Sequence, residues 1–132
     1  MELAISFSGG KRVDAQVNGF TIRTDQSQAG GGEGSAPEPF TYFLSSIGTC
    51  AGIYVLGFCQ ARGIPTEGIR LTERVEFDPE KHRLSRVAID IHLPADFPEK
   101  YRDAVRRAAE TCAVKRAILD PPEFAITTQI AS

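Results

Sequence analysis

The segment from Pro39 to Arg62 limits the fold more than any other part of this chain. Between Glu38 and Arg62 no acidic or basic side chain occurs, while Phe40, Phe43, Leu44, Ile47, Ile53, Val55, Leu56 and Phe58 fall on most sides of a helix. Pro39 suits the first helical position, and Gly63 with Pro65 stops the run. The pattern predicts one helix of 24 residues, roughly 36 Å long at about 1.5 Å per residue. A helix apolar nearly all round has to be buried nearly all round. A chain of 132 residues has difficulty covering such a rod by itself. Gly48, Gly52 and Gly57 lower helix propensity, and close approach of another backbone is a sensible reason for them. The expectation is an intertwined homodimer.

The flanking segments read as strands and one further helix. Leu3-Ile5-Phe7, Val13-Ala15-Val17 and Phe20-Ile22 alternate, with a turn at Ser8-Gly9-Gly10-Lys11 and a two-residue hairpin signal at Asn18-Gly19. After the long helix, Ile69-Leu71-Val75-Phe77 and Val87-Ile89-Ile91-Leu93 alternate against polar residues, which predicts a hairpin with one buried face. Asp96 and Glu99 have capping-box spacing for a second helix with an apolar stripe at Tyr101, Val105, Ala108 and Cys112. Asp120-Pro121-Pro122 ends it, and Phe124-Ala125-Ile126 begins a last strand. The order βββ-α-ββ-α-β indicates an α+β fold with antiparallel sheet. The glycine-rich stretch from Gln26 to Glu38 reads as a flexible connection, since neither a dinucleotide fingerprint nor a P-loop ending follows it.

Composition removes several functional classes. Fifteen Lys and Arg against 17 Asp and Glu give a net charge of −2, and no basic run exceeds two residues, so a nucleic-acid partner is not expected. The first residues carry no basic region ahead of apolar ones, and the longest clean apolar run, Ala51 to Cys59, counts nine residues. Neither a signal peptide nor a membrane span is expected. Three widely spaced cysteines argue against a secreted disulfide framework and for the cytoplasm.

Those cysteines are the candidates for chemistry. Cys50 has small neighbours, Gly48, Thr49, Ala51 and Gly52, which leave room around its sulfur, and Cys112 falls on the inner face of the second helix. Their 62-residue separation excludes a local redox loop. Cys59 lies nine residues past Cys50, about half a turn off, and reads as core. No cysteine or histidine pair has zinc-ligand spacing; His82 falls in a turn and His92 on an outward strand face. Ser45-Ser46 lies inside the helix without a nucleophile elbow. From the residues alone, two-cysteine redox chemistry and simple apolar packing of the thiols both stay open.

The glycine-rich loop, Ala36-Pro37-Glu38-Pro39, and Phe43-Leu44-Ser45-Ser46-Ile47-Gly48-Thr49-Cys50 together resemble the OsmC/Ohr family of osmotically induced and organic-hydroperoxide-resistance proteins. Arg107-Ala108-Ala109-Glu110-Thr111-Cys112-Ala113-Val114-Lys115, followed by Leu119 and Pro121, is similar to the second half of that family's pattern. The element order agrees over residues 1–132, which implies a single OsmC-like domain. The resemblance implies an intertwined homodimer whose long helices are central and sheathed by antiparallel sheets. It also implies a thiol peroxidase without cofactor or metal, acting on organic hydroperoxides and reduced by an external dithiol such as a lipoylated protein. Cys50 matches the peroxidatic cysteine and Cys112 the resolving one. Arg12, in the turn Gly9-Gly10-Lys11-Arg12, matches the arginine that activates the thiolate, with Arg23 as rival, and Glu38 is the carboxylate expected to orient it. The family's usual glutamate positions fall here on Thr41 and Phe40. Phe40, Phe43, Ile47, Tyr54 and Phe124 are candidates for an apolar wall near Cys50. The alternative is a dimeric, non-enzymatic module that binds a small acyl or lipid-like ligand and uses its cysteines for packing.

Overall fold

A computed structural model describes residues 1–131. The described residues form two compact units, Met1–Ser46 and the residues from Ile47 on, with the long helix contributing residues to both.

In the first unit, β1 (Ala4–Gly9), β2 (Arg12–Val17) and β3 (Phe20–Thr24) make an antiparallel meander in that order. The three expected strands are present. Asn18 and Gly19 close the second hairpin with φ of 51° and 80°, the left-handed pair that matches strand twist. Pairing Phe7 with Val13, Ile5 with Ala15 and Ala15 with Ile22 gathers these residues on one sheet face. Along β1 that face is uncovered, and Phe7 is 88% exposed.

The glycine-rich loop is not the flexible connection that its composition suggests. Asp25, only 1% exposed, accepts hydrogen bonds from the backbone N–H of Gln26 (2.7 Å), Glu33 (3.3 Å) and Ser35 (3.0 Å), and from the Ser35 hydroxyl (2.6 Å). A β-carbon on Gly32 would overlap both the Gln26 carbonyl oxygen and the Asp25 carboxylate. The loop is therefore wound tightly around one buried acid.

Helix α1 spans Pro39–Ala61. In the second unit it is accompanied by the antiparallel hairpin β4 (Arg70–Asp78) and β5 (Arg83–His92), a 3-10 turn at Glu99–Tyr101, α2 (Arg102–Glu110) and α3 (Ala113–Leu119). The buried residues of α1 are Ile47, Ala51, Val55 and Cys59, in steps of four, so they form a single stripe. Val55 and Cys59 join Phe97 and Val105 in the core, with Ile69, Leu71, Ile91 and Leu93 packed around them. All-round burial is not achieved within one chain. Ile53, on the opposite side, is 57% exposed, and Gly52 and Gly57 face open space. Gly48 has a different reason, because the Glu73 carboxylate occupies the place of its missing side chain. The nine-residue apolar run also understated this helix. With a mean hydropathy of 1.5 over 18 residues, it is long and apolar enough to cross a membrane, by length and composition alone. Its one buried stripe is nevertheless seated in a core of strands and helices.

Two further expectations need correction. The second helix is not continuous: Thr111 ends α2, and Cys112 takes extended backbone angles (φ −60°, ψ 142°) as the N-cap of α3. Its sulfur accepts the Lys115 N–H at 3.3 Å, a bond available only to a residue outside the helix it caps. The strand expected at Phe124-Ala125-Ile126 is absent, as residues 121–131 form neither helix nor strand, and Ile126 is 95% exposed. A strand needs an edge to pair with, and none takes up this segment in the single chain.

Candidate functional site

The second unit contains an apolar cleft of about 420 Å³, within the range of small-ligand sites. Helix α1 contributes Ile47 and Ala51, three residues before and one after Cys50. Strand β5 contributes Val87, Ile89 and Ile91, which share a face through their period of two. Cys112, 2% exposed, comes from the corner between α2 and α3, and Ile118 from the last turn of α3. Of the five residues suggested for an apolar wall, only Ile47 lines this cleft. Cys50 is half-buried on α1, and Cys59 is fully buried on the core stripe. Burial pushes the Cys59 thiol up, with Arg62 pulling weakly the other way, so this sulfur is a packing group.

Arg106, Glu110 and Lys115 also line the cleft. Arg106 donates to Asp103 (2.7 Å) and to Glu110 (2.7 Å), and Arg107 also pairs with Asp103. The bound Arg106 guanidinium holds the Asp103 carboxyl below its usual range. Among the described residues Lys115 forms no ion pair.

Arg12 lies in the first unit, where its guanidinium donates to Glu33 Oε2 at 3.1 Å and to the Ser8 carbonyl at 3.4 Å. The carboxylate that holds Arg12 is therefore Glu33, not Glu38. Glu38 instead accepts the Ser27 N–H at 3.3 Å, which ties the start of the loop to its end. Arg23 has an exposed side chain, and its carbonyl accepts the Tyr42 hydroxyl at 2.7 Å. Thr41 and Phe40, at the family's glutamate positions, are exposed on the first turn of α1. His82 occupies a turn with φ of 50°, and His92 Nε2 lies 3.0 Å from the Thr72 hydroxyl across the hairpin, so His92 is not simply solvated.

Sequence reasoning missed Glu73. It stands on the inward side of β4, opposite Ile89 and between Leu71 and Val75, with its carboxylate against α1 at Gly48. Burial raises its pKa, partly offset by the Gly48 N–H. An acid in the middle of an alternating apolar series was the available signal.

The sequence model of a family described as OsmC-like protein matches residues 32–127. No curated protein sequence matches the chain at a significant level. Among solved structures, one from Psychrobacter arcticus, named for osmotic stress induction and detoxification response, has a TM-score of 0.75 at 20% identity, covering 87% of this chain and 85% of that one. An organic hydroperoxide resistance protein OsmC of Legionella pneumophila has a TM-score of 0.61 at 22% identity, with 89% of each chain covered. An OsmC-like protein of Mycoplasma pneumoniae has a TM-score of 0.71 at 11% identity, covering 91% of this chain and 87% of that one. At these identities the structural likeness shows the α+β fold with its antiparallel sheets and long helix.

Proposed function

Because the chain belongs to the OsmC-like protein family, we propose that it is a thiol-dependent peroxidase for organic hydroperoxides. The observation that carries this reading is the position of Cys112. Its buried sulfur lines an apolar cleft whose α1 wall is made by Ile47 and Ala51, the residues that bracket Cys50. A buried thiol lining an apolar cleft, shared with the segment that holds a second thiol, suits an apolar peroxide and a two-cysteine cycle.

In that cycle the Cys50 thiolate attacks the distal oxygen of ROOH. The O–O bond breaks, Cys50 becomes a sulfenic acid, and the alkoxide takes up a proton and leaves as ROH. The Cys112 thiol attacks the sulfenic sulfur, forming the disulfide and releasing water. An external dithiol, such as a lipoylated protein, then reduces the disulfide by two exchange steps and becomes oxidised itself. Arg12 is the proposed activating cation, held by Glu33, and Arg23 is its rival. The working form is a homodimer in the cytoplasm, with a second copy covering the open side of α1.

Substrate preference follows from the lining. A bulky alkyl hydroperoxide that buries roughly 60 Å² more apolar area than hydrogen peroxide gains about 1.5 kcal/mol at about 25 cal/mol per Å². That is about tenfold in kcat/KM where the contact persists in the transition state. Cumene hydroperoxide should therefore be reduced about tenfold more efficiently than hydrogen peroxide. Equal or better turnover of hydrogen peroxide contradicts the assignment. Arg12→Ala should slow single-turnover oxidation, with Arg12→Lys restoring part of the rate; unchanged rates in both Arg12→Ala and Arg23→Ala remove this activation scheme. A protein that binds cumene hydroperoxide without consuming it would instead be the binding module.

A further inference from the structure

In the second unit an arginine on α3 reaches a tyrosine on α1. Tyr54 follows Cys50 by four residues on α1, and Arg116 follows Cys112 by four on α3. Residues four apart share a helix side and stand about 6 Å apart along the axis. Arg116 Nη2 donates to the Tyr54 hydroxyl oxygen at 3.4 Å. The cleft supplies an independent alignment, since Cys112 lines it together with Ile47 and Ala51. The start of α3 and residues 47–51 of α1 thus face the same cleft, and Arg116, one turn on, reaches Tyr54. Cys50 falls within this stretch, one turn before the tyrosine that holds the guanidinium.

Three other arginines of the second unit already have partners. Arg106 and Arg107 are neutralised by Asp103 and Glu110, and Arg62 lies over the Phe58 ring at 3.7 Å. Among the described residues Arg116 forms no ion pair, so its charge is not cancelled. We propose that Arg116, oriented by the Tyr54 hydroxyl, is a positioning residue that supplies positive potential at Cys50. This deepens the peroxidase reading and rests on it for its purpose, since a cation there steadies the attacking thiolate and the departing alkoxide.

The test compares two alkylating agents on the full-length protein, with Cys50 modification read by peptide mapping. Iodoacetate is an anion and iodoacetamide is neutral, yet both consume the same thiolate, so its population cancels from the ratio of their rates. Arg116→Gln keeps a long side chain that still hydrogen-bonds Tyr54 but removes the charge; it should lower the iodoacetate-to-iodoacetamide ratio about threefold at low salt. Arg116→Lys should keep the ratio near the parent value, and Tyr54→Phe should lower it part of the way. An unchanged ratio in Arg116→Gln overturns the proposal, as does a drop that appears in Lys115→Gln instead. Peroxide turnover is not involved, so a protein inactive as a peroxidase can still show the effect, and an active one can fail to show it.

Discussion

Asp25 and Glu73 are two carboxylates that this chain treats in opposite ways. The Ser35 hydroxyl and three backbone N–H groups hold Asp25 in its charged form, lowering its pKa from 3.8 to about 2. A depressed acid contributes stability above its unfolded value and loses it as pH falls through the folded value. The loop should therefore open between about pH 4 and pH 2, seen as faster exchange of the Ser35 and Glu33 amide hydrogens. At neutral pH, Asp25→Asn replaces an acceptor with a donor and should speed Glu-C protease cleavage after Glu33. Unchanged cleavage would mean that Asp25 does not hold the loop. Burial raises Glu73, so its sign is reversed: the fold disfavours the charge, and stability declines as pH rises from about 4.5 through the raised value. Glu73→Gln should be more stable than the parent at pH 7 in urea unfolding and no more stable at pH 4; a loss at pH 7 contradicts this. Glu73 was legible as a break in β4 alternation. Asp25 was not, because its partners at positions 33 and 35 come into reach only once the loop has closed.

At the scale of elements, α1 shows what patterning settles and what it leaves open. The uncharged run and its end signals place the helix, ending one residue earlier than expected, at Ala61. Patterning cannot say which apolar side the chain itself covers; that is decided by where the β4–β5 hairpin and α2 pack. Val55, on the buried stripe, should cost about 2 kcal/mol when cut to alanine, by lost burial and the cavity left. Ile53→Ala, on the open side, should cost much less in a monomeric chain. Similar losses measured by urea unfolding at a concentration where the protein is monomeric would contradict the single stripe. The break at Cys112 was illegible for a related reason. Ala113 to Leu119 has ordinary helical residues, so only the cap itself, with its sulfur on the Lys115 N–H, marks where one helix stops and another starts.

Over the whole molecule, the uncovered apolar surface is the feature still to be accounted for. Phe7 and Phe20 on the meander, Ile53 on α1 and the segment with Phe124 and Ile126 are all exposed in one chain. A second copy that covers the open stripe and supplies an edge to residues 124–126 would explain them together. Ile53→Asp should then convert a dimer to monomer in sedimentation at micromolar concentration while leaving the far-UV circular dichroism intact. A monomeric parent protein would defeat this explanation.

Chemically, everything depends on whether Cys50 and Cys112 act as one redox unit. One equivalent of cumene hydroperoxide, added to the fully reduced protein and followed by thiol counting and peptide mapping, decides it. The two-cysteine mechanism predicts the loss of two thiols, a disulfide joining Cys50 to Cys112, and a free, unmodified Cys59. In Cys112→Ser, Cys50 should stop at sulfenic acid, which a dimedone adduct would record. A disulfide that includes Cys59, or a Cys50 thiol left intact at stoichiometric peroxide, would contradict it.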